Sequence, residues 1–251
     1  MASTVARAYG MARSLGMYYG PVWRRGRMEA FYRQFLSPGD LAFDIGSHVG
    51  NRVRAFRRVG ARVVAVEPQP DFARLLRVLY GRDPGVTIEQ CGVASVARRG
   101  SLYVSTRTPT LSTSAAAWMQ DVQADERFGE IQWDQEISVS LVTLEDLIAR
   151  HGEPRFCKID VEGSESDVLR GLARPLAALS FEYIPVAVDG AAACVERLGQ
   201  LGVYRYRYSR AETMRWACPD WLEAGPLLAA LRAMPLSDRS GDVYARLVSR
   251  A

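Results

Sequence analysis

LAFDIGSHVGNRVRAFRRVGARVVAVE, residues 41–67, holds two short apolar runs on either side of a segment with helical periodicity. Leu41–Ile45 reads as a buried strand, Val49, Val53 and Phe56 fall on one helix face, and Arg62–Glu67 reads as a second buried strand. Working outward, Phe72, Leu75, Leu76 and Leu79 recur at i, i+3, i+4 and i+7, and Val86–Cys91 supplies a third strand. Strand, helix, strand, helix, strand within about 50 residues predicts parallel pairing with right-handed crossovers. The fold class is α/β, Rossmann-like and doubly wound, with helices on both faces of the sheet.

The second half continues the pattern. "SLYVST" (101–106) and "ISVSLV" (137–142) alternate as strands do and are expected to pair. Thr143 opens a short helix through Leu147 and Ile148, and "RFCKID" (155–160) is another buried strand. Ser164, with Asp167 three residues on, predicts a capping box for the helix carrying Val168, Leu169 and Leu172. "LSFEYI" (179–184) is a strand with an acid inside it, Ala191–Leu201 is helical, and Asp242–Val248 is the last strand. "VYRYRY" (203–208) alternates strictly, with its tyrosines on one face. The turn "SPGD" sets a boundary near residue 40, dividing an N-terminal helical extension (1–40) from the main domain (41–251).

Composition narrows the function. The 251 residues are 48% hydrophobic with a formal charge of +4, and Lys158 is the only lysine. No basic stripe marks a nucleic-acid groove, so no nucleic-acid partner is expected. Cys91, Cys157, Cys194 and Cys218 form no CxxC and there are two histidines, so no zinc site is expected, and reduced thiols fit a cytoplasmic protein. No apolar run approaches the roughly 20 residues of a membrane span. Residues 1–28 carry five arginines and no acid, which allows peripheral membrane contact. The helical spacing of Val5, Tyr9, Ala12 and Leu15 instead predicts a helix packed on the domain.

In an open parallel sheet, ligands bind outside the carboxyl ends of the strands. That rule places "DIGSHVG" (44–50) at a cofactor site, with Gly46 and Gly50 removing β-carbons and the following helix amides facing an anion. The pattern is D-x-G-x-x-x-G rather than the G-x-G-x-x-G of a dinucleotide site. Asp44 would repel a pyrophosphate and suits S-adenosylmethionine, whose amino group and sulfonium are positive. Glu67, 23 positions on at the next strand end, is placed to accept both hydrogen bonds of a ribose diol. Ser47 and Asn51 in the turn and Pro68 beside Glu67 complete the expected cofactor contacts.

"FDIGSHVGN", "VVAVEPQP", "CGVAS" and "KIDVEGSESDVLRGL" resemble, in that order, the sequence blocks of FkbM-family S-adenosylmethionine-dependent methyltransferases. The resemblance spans roughly residues 40–185. It implies a class I methyltransferase fold, a mostly parallel seven-stranded sheet with an antiparallel last strand. It also implies O-methylation of a sugar, glycolipid or polyketide-type acceptor. By position, Asp44, Gly46 and Gly50 would line the methionine end, Glu67 would hold the ribose, and Gly92 and Val93 would lie beside the adenine.

Methyl transfer to a hydroxyl needs an aimed oxygen and a group that takes up its proton. Asp160 and Glu162 end the fourth core strand at the same sheet edge, and positions two apart point the same way. Asp160 is expected to touch cofactor or acceptor, and Glu162, Glu182 and His48 are base candidates. A divalent metal on Asp160, Glu162 or Glu182 is conceivable but not favoured, there being no DxDxD cluster. The segment 107–136 lacks periodicity and is expected to be a lid or insertion, with the hydroxyls of "TPTLSTS" (108–114) and Trp118 or Trp133 meeting a small-molecule or glycan acceptor. Two other readings are a nicotinamide oxidoreductase, opposed by Asp44, and a cofactor-binding scaffold without turnover. "DVEG" (160–163) stands where base-methylating enzymes carry an acid-Pro-Pro-aromatic segment.

Overall fold

The computed structural model of the chain describes residues 4–19, 22–108, 112–115, 119 and 131–250. Its centre is a seven-stranded sheet built around β1 (Leu41–Ile45), whose five residues are all buried. To one side lie β2 (Arg62–Val66) and β3 (Val86–Glu89); to the other lie β7 (Phe156–Ile159), β8 (Ala178–Tyr183), β10 (Gly241–Arg250) and β9 (Gly202–Arg210), giving the order β3-β2-β1-β7-β8-β10-β9. The first five are parallel, whereas β10 is antiparallel to both β8 and β9. The order reverses between β1 and β7, which opens a crevice at their carboxyl ends.

Helices cover both faces. On one, Phe43 and Ile45 pack with α5 (Leu144–His151), α6 (Glu165–Arg170) and α7 (Val188–Leu201), which follows the 3₁₀ turn Pro185–Ala187. On the other, α3 (Asn51–Val59) and α2 (Val22–Tyr32) bury Met28, Phe31, Tyr32, Val53 and Phe56 against Ala42, Phe156 and Tyr244. Each large side chain buried there is worth about 1.5–3 kcal/mol. The remaining helices are α1 (Thr4–Tyr19), α4 (Pro70–Tyr80) and α8 (Ala224–Arg232).

A second sheet of three strands, β4 (Gly92–Val93), β6 (Gln135–Val142) and β5 (Arg98–Val104), sits beside the crevice. "SLYVST" and "ISVSLV" pair as expected, but in this separate sheet. The third strand stops at Glu89 instead of running to Cys91, because the chain turns there and Gly92 pairs with Leu141 of β6.

Two local expectations are overturned. Ser164 precedes α6, but its side chain caps nothing: its hydroxyl meets Ser114 Oγ at 2.9 Å, and Asp167 instead accepts from Ser95. The capping box belongs to Thr143 and Asp146 at the start of α5. Among the described side chains of α1, Gly10 and Ser14 are buried and Leu15 is half-buried, while Tyr9 and Ala12 of the predicted stripe are exposed. Val5, much of 1–28 and most of 107–136, Trp118 included, fall where side chains or backbone lie outside the described residues. Along β9, Tyr204, Tyr206 and Tyr208 are buried on one face as expected.

Candidate cofactor and active site

The β1–α3 turn is built by backbone constraint. Gly46 has φ +83°, and a β-carbon there would stand 1.8 Å from the carbonyl oxygen of Asp160, so only glycine lets β1 and β7 end side by side. Gly50 also has positive φ (+79°), but a β-carbon there would meet Leu76 and Tyr80. Its bareness serves the packing of α4 on α3 rather than the approach of a ligand. Ser47 donates from Oγ to the Asp44 carbonyl at 2.8 Å and so braces the turn from within. His48 is left-handed (φ +47°), its ring packed 4.1 Å from that of Phe72, and burial pushes its pKa down to about 4. At neutral pH it is an uncharged imidazole.

Around this turn lies a cleft of about 940 Å³, counting space open to solvent. Asp44, Gly46, His48, Asn51, Glu67, Pro68, Gly92, Val93, Asp160 and Glu162 all line it. Ser47, Gly50 and Glu182 do not contribute to the lining. Asp44 is 1% exposed, and its Oδ2 has no hydrogen-bond partner. Burial pushes its pKa up to about 6, against the pull of Lys158 and Arg52. Glu67 accepts the backbone N–H groups of His48 and Gln69, each at 2.8 Å and each on a different carboxylate oxygen. Burial outweighs those bonds and lifts it to about 7.

On the opposite wall, β7 delivers Asp160 and the turn after it delivers Glu162, whose left-handed φ of +53° swings it off the strand line. Asp160, Glu162 and Glu182 bring carboxylate oxygens within 4.8 Å of one another. Burial, then the neighbouring acids, raise Glu162 and Glu182 well above the ordinary carboxylate range. Burial pushes Asp160 the same way, but Lys158 more than offsets it and holds Asp160 low. The three carboxylates could hold a cation by position, although the Lys158 ammonium already occupies one oxygen of Asp160.

The sequence reading missed four charged residues that frame this wall. Lys158 donates to Asp160 Oδ2 at 2.8 Å and to Asp242 Oδ1 at 3.1 Å. Arg52 lies 3.6 Å from Asp242, makes two 2.8 Å contacts with Glu212, and donates to the Tyr32 hydroxyl at 3.0 Å. Lys158 alone carried a signal, as a charge inside an apolar strand and the chain's single lysine. The described part of the expected lid is close by: Ser112 and Ser114 line the cleft, and Thr113 donates to the Glu162 carbonyl at 2.6 Å.

A cleft across the switch point, with an orphaned buried acid on β1 and a second acid after β2, calls for a cationic nucleoside, and the fold is that of a class I S-adenosylmethionine-dependent methyltransferase. Residues 44–196 match the methyltransferase FkbM domain, and the chain belongs to that family. It is 25% identical over 154 residues to the hexuronic acid methyltransferase AglP of Haloferax volcanii, a match covering 59% of this chain and 56% of that one. It is 31% identical over 160 residues to the 31-O-demethyl-FK506 methyltransferase FkbM of Streptomyces tacrolimicus, covering 55% of this chain and 61% of that one. The chain thus spans a little over half the length of these relatives. Among solved structures, an O-methyltransferase from Bacillus cereus in complex with S-adenosylhomocysteine aligns with a TM-score of 0.45 and 11% identity, over 95% of this chain and 90% of that chain. S-adenosylmethionine is the methyl donor of the family, and the unpartnered Asp44 Oδ2 fits its amino group. No helix among the described residues is long and apolar enough to cross a membrane.

Proposed function

We propose that the protein methylates a hydroxyl oxygen of a sugar, glycolipid or polyketide-type acceptor. The observation that carries this is the convergence of Asp160, Glu162 and Glu182 on the β7–β8 side of the cleft, opposite the Glu67 and Gly92 side. Asp44 and Asp160 bind the amino-acid end of the cofactor, Glu67 the ribose, and Pro68, Gly92 and Val93 the base. Bound there, S-adenosylmethionine supplies an electrophilic methyl group on a sulfonium. Glu162 accepts the acceptor hydroxyl's proton and Glu182 shares it, a role suited to carboxyls with raised proton affinity. His48, uncharged and packed at a tilt against Phe72, orients the turn through its backbone N–H on Glu67. The two relatives, one named for a hexuronic acid and one for the 31-O position of FK506, support an oxygen acceptor.

The test is transfer of labelled methyl from S-adenosylmethionine to a panel of glycosides, glycolipids and macrolide alcohols, followed by alkali treatment. Label that survives alkali is an ether and supports the reading. Tight cofactor binding with no transfer to any acceptor would favour a scaffold instead.

A further inference from the structure

We propose that Lys158 is a positioning residue for methyl transfer: buried beneath the cleft, it grips Asp160 and fixes that carboxylate, ionised, on the wall where the cofactor's amino group is received. The inference rests on the reading that Asp160 contacts the cofactor.

The geometry is specific. Lys158 is 1% exposed and is the only lysine in a chain whose other cationic side chains are arginines. Its ammonium lies 2.8 Å from Asp160 and 3.1 Å from Asp242, the latter on the antiparallel strand β10. Asp242 in turn approaches Arg52, which pairs with Glu212, so charges alternate from Glu212 through Arg52, Asp242 and Lys158 to Asp160. A buried ammonium is stable only when paired and hydrogen-bonded. A slim ammonium reaches two carboxylates from within a strand, where a guanidinium would need more room.

The need for the lysine is set by what surrounds Asp160. Asp44 on β1, Glu162 and Glu165 after β7, Glu182 on β8 and Asp242 on β10 are all acidic. The cationic side chains acting on it are Lys158 and, farther off, Arg52; His48 is uncharged at neutral pH. Without Lys158, Asp160 would be one more crowded acid, its proton affinity raised by burial and by the acids around it. A protonated Asp160 gives a cationic amino group little to bind.

The test uses the full chain and S-adenosylhomocysteine, with affinity measured by calorimetry from pH 6 to 9. Lys158→Met is expected to weaken binding at least tenfold at pH 7. The gap to wild type closes toward pH 9, changing by up to about tenfold per pH step where one added proton must leave. Equal loss at every pH would mean a purely structural role and would overturn the proposal, as would an unchanged profile. Should Lys158→Met fail to fold, the wild type still decides. With [15N]lysine its single Nζ signal must move on addition of S-adenosylhomocysteine, and an unmoved signal overturns the proposal. Asp160→Asn separates the two layers. If it leaves affinity unchanged, the Asp160 contact itself is wrong; if it weakens binding while Lys158→Met does not, only the role of the lysine falls.

Discussion

Asp44 of β1 and Lys158 of β7 face each other in register across the central strand pair, yet the ammonium is committed to Asp160 and Asp242. Asp44 therefore keeps an oxygen that is buried and unpartnered. In the protein alone this is a cost, since a buried carboxylate without a hydrogen bond loses its hydration. Under the proposed function, that oxygen is the one offered to the cofactor's amino group.

Asp44→Asn is expected to weaken S-adenosylhomocysteine binding about tenfold to a hundredfold, since hydrogen bonds to charged groups are worth about 1.5–3 kcal/mol. The melting temperature of the unliganded variant should match or exceed that of the wild type. A drop of several degrees without ligand, measured by scanning calorimetry, would show that Asp44 holds the fold together instead.

The pH response follows from burial. Glu67 and Glu165 are raised to about 7 and Asp44 to about 6, above their ordinary 4.5 and 3.8. The stability they contribute is fully present below the unfolded values and is lost as pH rises through 6 to 7. His48 opposes this, since its lowered pKa adds stability above 6.5 that is lost as pH falls toward 4. The acids outnumber it, so the melting temperature of the unliganded protein should fall between pH 5 and 8. Stabilisation by S-adenosylhomocysteine should grow over the same range, because its amino group and ribose need charged acceptors. A melting temperature that climbs from pH 5 to 8 without ligand contradicts the assignment.

Gly46→Ala forces a β-carbon to within 1.8 Å of the Asp160 carbonyl at a left-handed backbone position. The conformation alone costs roughly 1–2 kcal/mol and the clash adds more. Urea unfolding should show a loss of at least about 2 kcal/mol. Wild-type stability would mean that β1 and β7 end farther apart than described.

Glu162→Gln and Glu182→Gln should keep cofactor affinity within a few-fold while lowering transfer to a responsive acceptor by about 10²–10⁴ for the residue that takes the proton. EDTA should leave transfer unchanged. Activity that vanishes on chelation and returns with magnesium would reassign the three carboxylates as metal ligands.

Much of this was legible in advance because the relevant signals are local. β1, spanning Leu41–Ile45, is entirely buried, as its apolar run implied, and Asp44 and Glu67 fall at adjacent strand ends. What sequence could not show depends on partners far along the chain. The Ser164 hydroxyl was taken by Ser114 and so was lost to capping. Val86–Cys91 broke because Gly92 found Leu141, some fifty residues later. The ladder through Lys158 needs Asp242, 84 positions away, and Arg52 needs Glu212, 160 positions away. Glu162 converges with Asp160 through a left-handed turn that simple strand alternation does not describe.

Tyr32, Glu212 and Asp242 all lie outside the family-matched stretch 44–196, whereas the Arg52 and Lys158 they satisfy lie within it. The catalytic domain is thus electrostatically incomplete at its own sequence boundaries. A chimera that exchanges only that stretch between relatives would take from Arg52 both of its acids and from Lys158 one of its two. Keeping those pairs means carrying along the helix before the stretch and the segment from β9 to β10 after it.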